Sequence, residues 1–386
     1  MTAAAPVDLA PLGQVLLVGA VLASLVVGWI WLRGRDLPGQ NWQHRLAVLT
    51  LVLTFDLVVF GAFTRLTDSG LGCPDWPGCY GHASPIGATD HIRTAQSAMP
   101  SGPVTHAKAW IEMVHRYLAT GVGGLILVLA AASWGRRQDD VASPATRVMR
   151  WWPTATLLWV CLQGAFGAWT VTMKLRPAIV TLHLLGGMVL LSMLCVQVGH
   201  HLRRHAPVVL ESSTAMLLRA TCVLLALQIV LGGWVSTNYA VLACQDFPMC
   251  QGSWWPEMHF DQAFQVWRDL GMTPSGEPIS FAALTAIHMA HRLMAFLVLL
   301  ALGVLALRLH ASAALRQPAR WLGGLAALQL GSGLANVVLG WPLLAALLHT
   351  GGAAALVLVL TWTWVRTTAA VQATSQSVAG ATGVSA

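Results

Sequence analysis

Charged residues are scarce in this sequence. Asp, Glu, Lys and Arg together make up only 10% of the 386 residues, whereas hydrophobic residues make up 56%. A soluble domain carries about 25% charged residues, and a single soluble core cannot cover so much apolar surface. The composition therefore excludes a soluble globular protein and favours an integral membrane protein embedded in a lipid bilayer. It also excludes nucleic acid as the explanation of the net charge of +7.

Long apolar runs predict an all-α polytopic membrane protein with nine spanning helices, because a span needs about 20 mostly apolar residues. The first span, residues 12–32, contains no side chain that suggests chemistry. It is not expected to be a signal peptide, because such a peptide begins with basic residues and no Lys or Arg precedes Arg33. Residues 367–386 carry no charge and are expected to form a disordered tail. The other predicted spans cover residues 46–66, 108–132, 151–173, 178–198, 216–236, 281–307, 320–340 and 342–365.

The distribution of Lys and Arg predicts the orientation in the membrane. Most of these residues lie in one set of alternate loops, which the positive-inside rule assigns to the cytoplasm. The two long loops, residues 67–107 and 237–280, then face the outside, and the C-terminus is cytoplasmic. The N-terminus lacks an Arg-rich transit peptide, which favours a bacterial plasma membrane over a mitochondrion.

An internal repeat organises the sequence. The segment Cys73-Pro-Asp-Trp-Pro-Gly-Cys79 in the first long loop matches Cys244-Gln-Asp-Phe-Pro-Met-Cys250 in the second. Further landmarks match in the same order: Gly61 with Gly232, Glu112-Met-Val-His115-Arg116 with His288-Met-Ala-His291-Arg292, Gln163 with Gln329 and His183 with His349. The repeat predicts two parallel four-helix bundles (46–200 and 201–366), an extra N-terminal transmembrane helix with its linker (1–45) and the tail (367–386).

Four repeat-related histidines lie within predicted spans: His115, His183, His291 and His349. Ionisable residues inside a bilayer are usually functional, although a single buried histidine can simply bond to a neighbouring helix. At 1.5 Å per residue all four lie within roughly 8–15 Å of the outer surface. Each repeat therefore offers two histidines at matching depth, which suits axial ligation of a haem iron. The sequence has no C-x-x-C-H motif, which excludes covalent haem attachment.

Other polar residues near these histidines differ between the halves. Glu112 in the first half could act as a base or stabilise a cation, whereas His288 in the second could be a spare ligand or a hydrogen-bond partner. This asymmetry predicts one site for chemistry and one for holding a cofactor. Arg116 and Arg292 either pair with haem propionates or reach the lipid headgroups. Asp56, inside the second span, either pairs structurally or relays protons.

Four cysteines in the outer loops form two C-x5-C pairs, which favours the disulfides Cys73–Cys79 and Cys244–Cys250 because such pairs oxidise outside the cytoplasm. A four-cysteine metal site is the alternative, and a structural or redox-active role for the pairs is left open. Glycines follow the histidines along their helices, among them Gly121 and Gly124. They let a flat macrocycle approach the helix or pack helices together, and the two roles are compatible.

These motifs resemble the haem A synthase family over about residues 46–365. The segment 61–81 is similar to the first outer loop of that family, and Glu112-x-x-His115-Arg116, His183, His291-Arg292 and His349 stand where the family keeps its essential residues. The family usually has eight spans, so the predicted ninth, at the N-terminus, is a departure. The resemblance implies oxidation of the C8 methyl group of haem O to the formyl group of haem A by two successive hydroxylations, for terminal cytochrome oxidases.

The resemblance also implies roles for individual residues and for partners. The first half would hold the substrate haem between His115 and His183, with Glu112 catalytic, and the second half would hold haem b through His291 and His349. A farnesyltransferase that makes haem O (haem O synthase) and oxidase assembly factors are the implied partners. The electron acceptor and the formation of a homo-oligomer are left open.

Two other functions fit paired histidines. A di-haem b-type membrane electron carrier explains both sites but not the difference between Glu112 and His288. A haem transporter built on parallel repeats would use the histidines as a transient site. Extracted haems separate these functions, because only the synthase yields haem O or haem A beside haem B.

Overall fold

The structure, a computed structural model, describes residues 10–34, 42–135, 144–201 and 208–381. Within these ranges the chain is helical, with isolated bridges as its only β structure. The helices are α1 (Ala10–Gly34), α2 (Trp42–Leu66), α3 (Thr89–Ala98), α4 (His106–Trp134), α5 (Pro144–Thr172), α6 (Pro177–His201), α7 (Ser212–Thr237), α8 (Phe260–Ala263), α9 (Phe281–His310), α10 (Arg316–Val338) and α11 (Leu343–Ala381).

Nine of these helices in the described ranges are long and apolar enough to cross a membrane, and they coincide with the nine predicted spans. The prediction of an all-α polytopic membrane protein is confirmed. One difference lies at the C-terminus, where α11 continues to Ala381 through residues expected to be disordered. The segment from Thr367 to Ala381 contains no proline, so the helix can continue through it. The linker at 35–41, the Arg-bearing loops at 136–143 and 202–207 and the last five residues lie outside the described residues.

The chain divides into two compact units, Met1–Gly187 with Trp267–Leu270, and Met188–Val266 with Gly271–Ala386. The boundary falls inside α6, whereas the sequence repeat predicts one at residue 200. The histidine of α6, His183, therefore belongs to the first unit together with α2, α4 and α5. The division into two four-helix repeats stays a prediction.

Helix α4 organises the first unit, because α1, α2 and α5 all pack against it. The contact with α1 is close: a Cβ placed on Gly124 would lie 3.0 Å from Ala23 Cβ, and one on Gly121 would lie 3.3 Å from Leu22 Cβ. These two glycines therefore serve helix packing, the second of their two predicted roles. The extra N-terminal helix is thus built into the unit that contains His115.

The second unit pairs α7 with α9, α9 with α10, α10 with α11 and α11 with α7. Its histidine helices begin and end at recognisable residues. Ser280 caps α9 by accepting a hydrogen bond from the amide of Ala283 (3.2 Å). The chain leaves α10 through Gly340, which adopts a φ of +69°, and Pro342 immediately precedes α11. In the first unit Thr105 caps α4 in the same way, through the amide of Lys108.

Gly19 on α1 tests this packing. A Cβ there would lie 2.8 Å from the backbone carbon of Thr120 on α4, closer than atoms approach. Gly19→Ala should therefore lower the stability by about 1–3 kcal/mol, although alanine favours helix more than glycine does. Thermal unfolding of the purified protein in detergent measures the change. Gly13→Ala on the same helix is the control, since nothing lies within 4 Å of its added Cβ. Equal stability of the two variants would contradict the described contact of α1 with α4.

Candidate functional site

Each of the four histidines lies against a glycine of the preceding membrane-spanning helix. A Cβ added to these glycines would come within 3.0–3.3 Å of the ring atom Cε1. Contacts that close leave no room for a larger residue unless the ring moves. The match of Gly61 with Gly232 in the sequence thus has a physical reason. The four pairs are Gly61 with His115, Gly167 with His183, Gly232 with His291, and Gly333 with His349.

The two rings of the second unit stand opposite each other. The centroids of His291 and His349 are 6.4 Å apart, with the ring planes at 73°. Two imidazoles bound to opposite sides of one metal ion, at metal–nitrogen distances of about 2 Å, hold their centroids roughly 6 Å apart. Polar partners lie nearest to the Nδ1 atoms: the amide of Gln228 (3.1 Å) for His291 and the hydroxyl of Ser332 (3.0 Å) for His349. The pair therefore fits a haem iron held between its rings.

The first unit brings together His115 and His183. The ring of His115 stacks on Phe60, with centroids 6.2 Å apart and planes at 11°, and it lies close enough to His183 to interact electrostatically. The side-chain amide of Gln163 donates to the backbone carbonyl of His183 (2.6 Å) and lies 3.1 Å from its Nδ1 atom. The pairing of His115 with His183 as iron ligands stays a prediction.

Glu112 is buried, with 4% of its surface exposed. Its Oε2 atom accepts a hydrogen bond from the backbone amide of Cys73 (2.7 Å), and its Oε1 atom accepts one from Arg116, one turn further along α4. A buried carboxylate needs such partners, because desolvation penalises an unpaired charge. Glu112 is therefore fixed between its own helix and the first cysteine loop, one turn before His115.

Arg116 and Arg292 both hold the cysteine loop of their own unit. Arg116 donates to the carbonyls of Pro77 and Gly78, and Arg292 donates to those of Met249 (3.0 Å) and Cys244 (3.2 Å). A guanidinium offers five donors in a fixed plane, which suits clustered carbonyls. The haem-propionate role of these arginines stays a prediction, and the structure gives them a loop-holding role that was not predicted from the sequence.

The two cysteine loops share one architecture. Cys73 is bonded to Cys79, and Cys244 to Cys250. Asp75 accepts hydrogen bonds from the amides of Tyr80 (2.6 Å) and Gly81 (2.7 Å), so its carboxylate closes the loop. Among the described residues no group of three or more His, Cys, Asp or Glu side chains could hold a metal ion, which leaves the four-cysteine alternative without support.

Asp246 closes the second loop in the same way, through the amides of Gln251 (2.8 Å) and Gly252 (2.9 Å). The hydrogen bond from Gly252, together with that from Gln251, holds the pKa of Asp246 below its ordinary value. The role of this aspartate was not foreseen, although its recurrence in both C-x-D-aromatic-P-x-C segments was the available signal.

His288 and Asp56, the second-tier predictions, differ in their surroundings. His288 takes the place of Glu112 in the second unit, where it is buried and its Nε2 atom lies 3.3 Å from Nε of Arg292. It therefore contacts the loop-holding arginine, as a hydrogen-bond partner would. Asp56 is exposed on α2, and its predicted roles stay predictions.

Comparisons with known proteins identify relatives of this chain. Residues 44–361 match the model of a family described as cytochrome oxidase assembly protein. A haem A synthase of Shewanella oneidensis is 41% identical over 328 residues, which cover 83% of this chain and 94% of that protein. The chain belongs to the haem A synthase family. Haem A synthases of Rhizorhabdus wittichii and Shouchella clausii are 27% and 28% identical over 344 and 229 residues, covering 84% and 58% of this chain and 94% and 68% of those proteins.

The family match begins at residue 44, two residues into α2. Helix α1 therefore lies outside the part of the chain that this family model covers, although it packs against α4. The four histidines, Glu112 and both cysteine loops all lie inside that part.

Substitution of Arg116 and Arg292 tests whether these arginines hold the cysteine loops. Arg116→Leu should speed reduction of the Cys73–Cys79 disulfide about tenfold or more, because hydrogen bonds from a charged donor each contribute roughly 1.5–3 kcal/mol. Arg292→Leu should do the same for Cys244–Cys250 only. The measurement is the rate of reduction by dithiothreitol, followed by alkylation and mass spectrometry. Arg93→Leu, an exposed arginine in the first long loop, is the control; unchanged rates in both variants would contradict the loop-holding role.

Proposed function

We propose that this protein is a haem A synthase, which oxidises haem O to haem A for cytochrome oxidase assembly. Family membership and the relatives that bear this name support the proposal. The observation that carries it within the molecule is the presence of two histidine pairs, of which only one has a buried carboxylate a turn away. Two similar pairs suit two haems, and one carboxylate suits one reaction site.

The second unit is the proposed site of a resident haem b. His291 and His349 would bind its iron, and their centroid separation of 6.4 Å supports this assignment. Bound there, a b-type haem supplies one-electron redox chemistry. The chain's own residues orient the ligands: Gly232 and Gly333 leave space for the rings, while Gln228 and Ser332 contact their Nδ1 atoms.

The first unit is the proposed site of the substrate. Haem O would lie between His115 and His183, and its C8 methyl group would be oxidised in two successive hydroxylations to a geminal diol, which loses water to give the formyl group. The electrons removed from the methyl carbon would pass to an external electron acceptor. Glu112 would serve as the proton acceptor, and Arg116 with the amide of Cys73 keeps its carboxylate in one position. In this assignment the enzyme is an oxidoreductase that acts on a CH group.

The remaining proposals concern the cell. The arginine distribution favours a bacterial plasma membrane protein with both cysteine loops outside and a cytoplasmic C-terminus. A haem O synthase is the proposed source of the substrate, and oxidase assembly factors are the proposed receivers of haem A, because both compounds are hydrophobic and need a route through the membrane.

Co-expression with a haem O synthase in a host that makes no haem A tests the activity. Chromatography of the extracted haems should show haem A, together with haem B that co-purifies with the protein. The host with the haem O synthase alone should contain haem O and no haem A. Absence of haem A from cells that hold the intact protein and haem O would contradict the proposed function, and haem B as the only bound haem would favour a di-haem electron carrier.

Glu112→Gln separates the two sites. Haem A formation should fall by about 100-fold or more, as expected when a proton-transferring group is lost, whereas the haem B content should stay that of the unsubstituted protein. Asp90→Asn, at an exposed acid on α3 in the first long loop, is the control. Loss of haem B from the Glu112 variant, or haem A formation at the unsubstituted rate, would contradict the assignment of the halves.

A further inference from the structure

Three of the four helices that face a histidine carry the same short pattern, a glutamine four residues before the glycine against which the ring lies. The spacing of four places both residues on one face of the helix, one turn apart. The pattern occurs in α5, α7 and α10 as Gln163 with Gly167, Gln228 with Gly232, and Gln329 with Gly333.

The glutamines fasten the histidine helices. The side-chain amide of each glutamine donates to the backbone carbonyl of its histidine: Gln163 to His183 (2.6 Å), Gln228 to His291 (3.2 Å) and Gln329 to His349 (2.8 Å). A polar group also reaches every one of these three rings at Nδ1. It is the glutamine amide for His183 and His291, both at 3.1 Å, and the Ser332 hydroxyl for His349, at 3.0 Å.

The fourth helix, α2, breaks the pattern. Leu57 stands four residues before Gly61, in the position that the glutamines occupy elsewhere. The Nδ1 atom of His115 is buried and has no hydrogen-bond partner among the described residues. Its ring is supported by the stacked ring of Phe60 instead. Of the four histidines, His115 is therefore the one whose Nδ1 atom has no polar partner among the described residues and whose ring is held by packing.

This difference matters for a metal ligand. When Nε2 of a histidine binds iron, the neutral ring carries its proton on Nδ1, and that N–H needs an acceptor. A glutamine amide contains both a donor and an acceptor. The donor Nε2 of Gln228 lies nearest to Nδ1 of His291, so the amide must turn over about its last bond, giving up its bond to the His291 carbonyl, before Oε1 accepts this proton; Oε1 is buried without a hydrogen-bond partner among the described residues. The side chain of Leu57 offers neither a hydrogen-bond donor nor an acceptor. A partner at Nδ1 also fixes the ring and raises its basicity, and its loss commonly lowers metal affinity about 10- to 100-fold.

We infer that His115 is the weak axial ligand of the protein, so that the haem of the first unit exchanges readily while the haem of the second unit is retained. The inference rests on the proposed function, in which haem O must enter and haem A must leave the first unit. Leu57 is then a positioning residue: its apolar side chain withholds the hydrogen bond that would make the substrate site a permanent one.

Haem transfer to apomyoglobin tests the inference without any turnover. His349→Ala leaves only the first site and His183→Ala only the second, and both full-length variants are loaded with haem B so that the same haem is compared. The haem of the first site should leave at least tenfold faster. Equal rates, or faster loss from the second site, would overturn the inference.

Substituting glutamine for Leu57, and leucine for Gln228, supplies a second, independent measurement. Leu57→Gln, in the His349→Ala background, should slow haem loss from the first site about 10- to 100-fold, and Gln228→Leu, in the His183→Ala background, should speed loss from the second site by a similar factor. Leu57→Met is the control for volume and should leave the rate unchanged. Should the first site keep no haem through purification, Leu57→Gln should restore its retention.

The two possible failures are distinguishable. An unchanged rate in Leu57→Gln, or no restored retention, overturns the inference about His115, whatever haem the cells make. Haem A formation, measured separately in the unsubstituted protein, decides the proposed function.

Discussion

The space and the polar contacts that one helix gives to the histidine ring of the next are the constraint on which both units depend. An imidazole inside a membrane has no water to satisfy its nitrogens, so a neighbouring helix must supply the partner. The same helix must also lack a side chain where the ring lies. A glycine leaves the space for the ring in all four cases, at Gly61, Gly167, Gly232 and Gly333. A glutamine or a serine supplies the polar partner in three of them.

Helices α4 and α9 are each tied to a compact disulfide loop by one kind of contact. Arg116 and Arg292 each donate to loop carbonyls, and in the first unit the amide of Cys73 returns a hydrogen bond to Glu112. The loop, the arginine and the carboxylate therefore form one buried network. In such a network the position of Glu112 depends on residues far away in sequence, and a change in the loop is transmitted to the carboxylate.

The sequence alone predicted the features that follow from local pattern. Hydropathy located the nine spans. The repeat of cysteines and histidines pointed to His291 and His349, whose rings stand opposite each other, and to His115 and His183, while the pairing of these residues as iron ligands stays a prediction. Features that depend on contacts between helices were not accessible. Gly121 and Gly124 have two compatible roles in sequence, and only the approach of α1 shows that they serve helix packing. The loop-holding role of the arginines was not predicted, because the carbonyls of a folded loop cannot be recognised as acceptors from sequence. The role of Leu57 could not be predicted from sequence, because it follows only from a comparison with the glutamines that three other helices have at this position.

The central claim is that each unit holds one haem iron between two histidines, and electron paramagnetic resonance of the oxidised protein tests it most directly. The protein would be purified from cells supplied with haem O and then quantified for iron. Two axial imidazoles make ferric haem low-spin, so the account predicts low-spin signals that account for the haem of both sites. A high-spin signal from most of the haem would contradict it, because such haem lacks the second histidine.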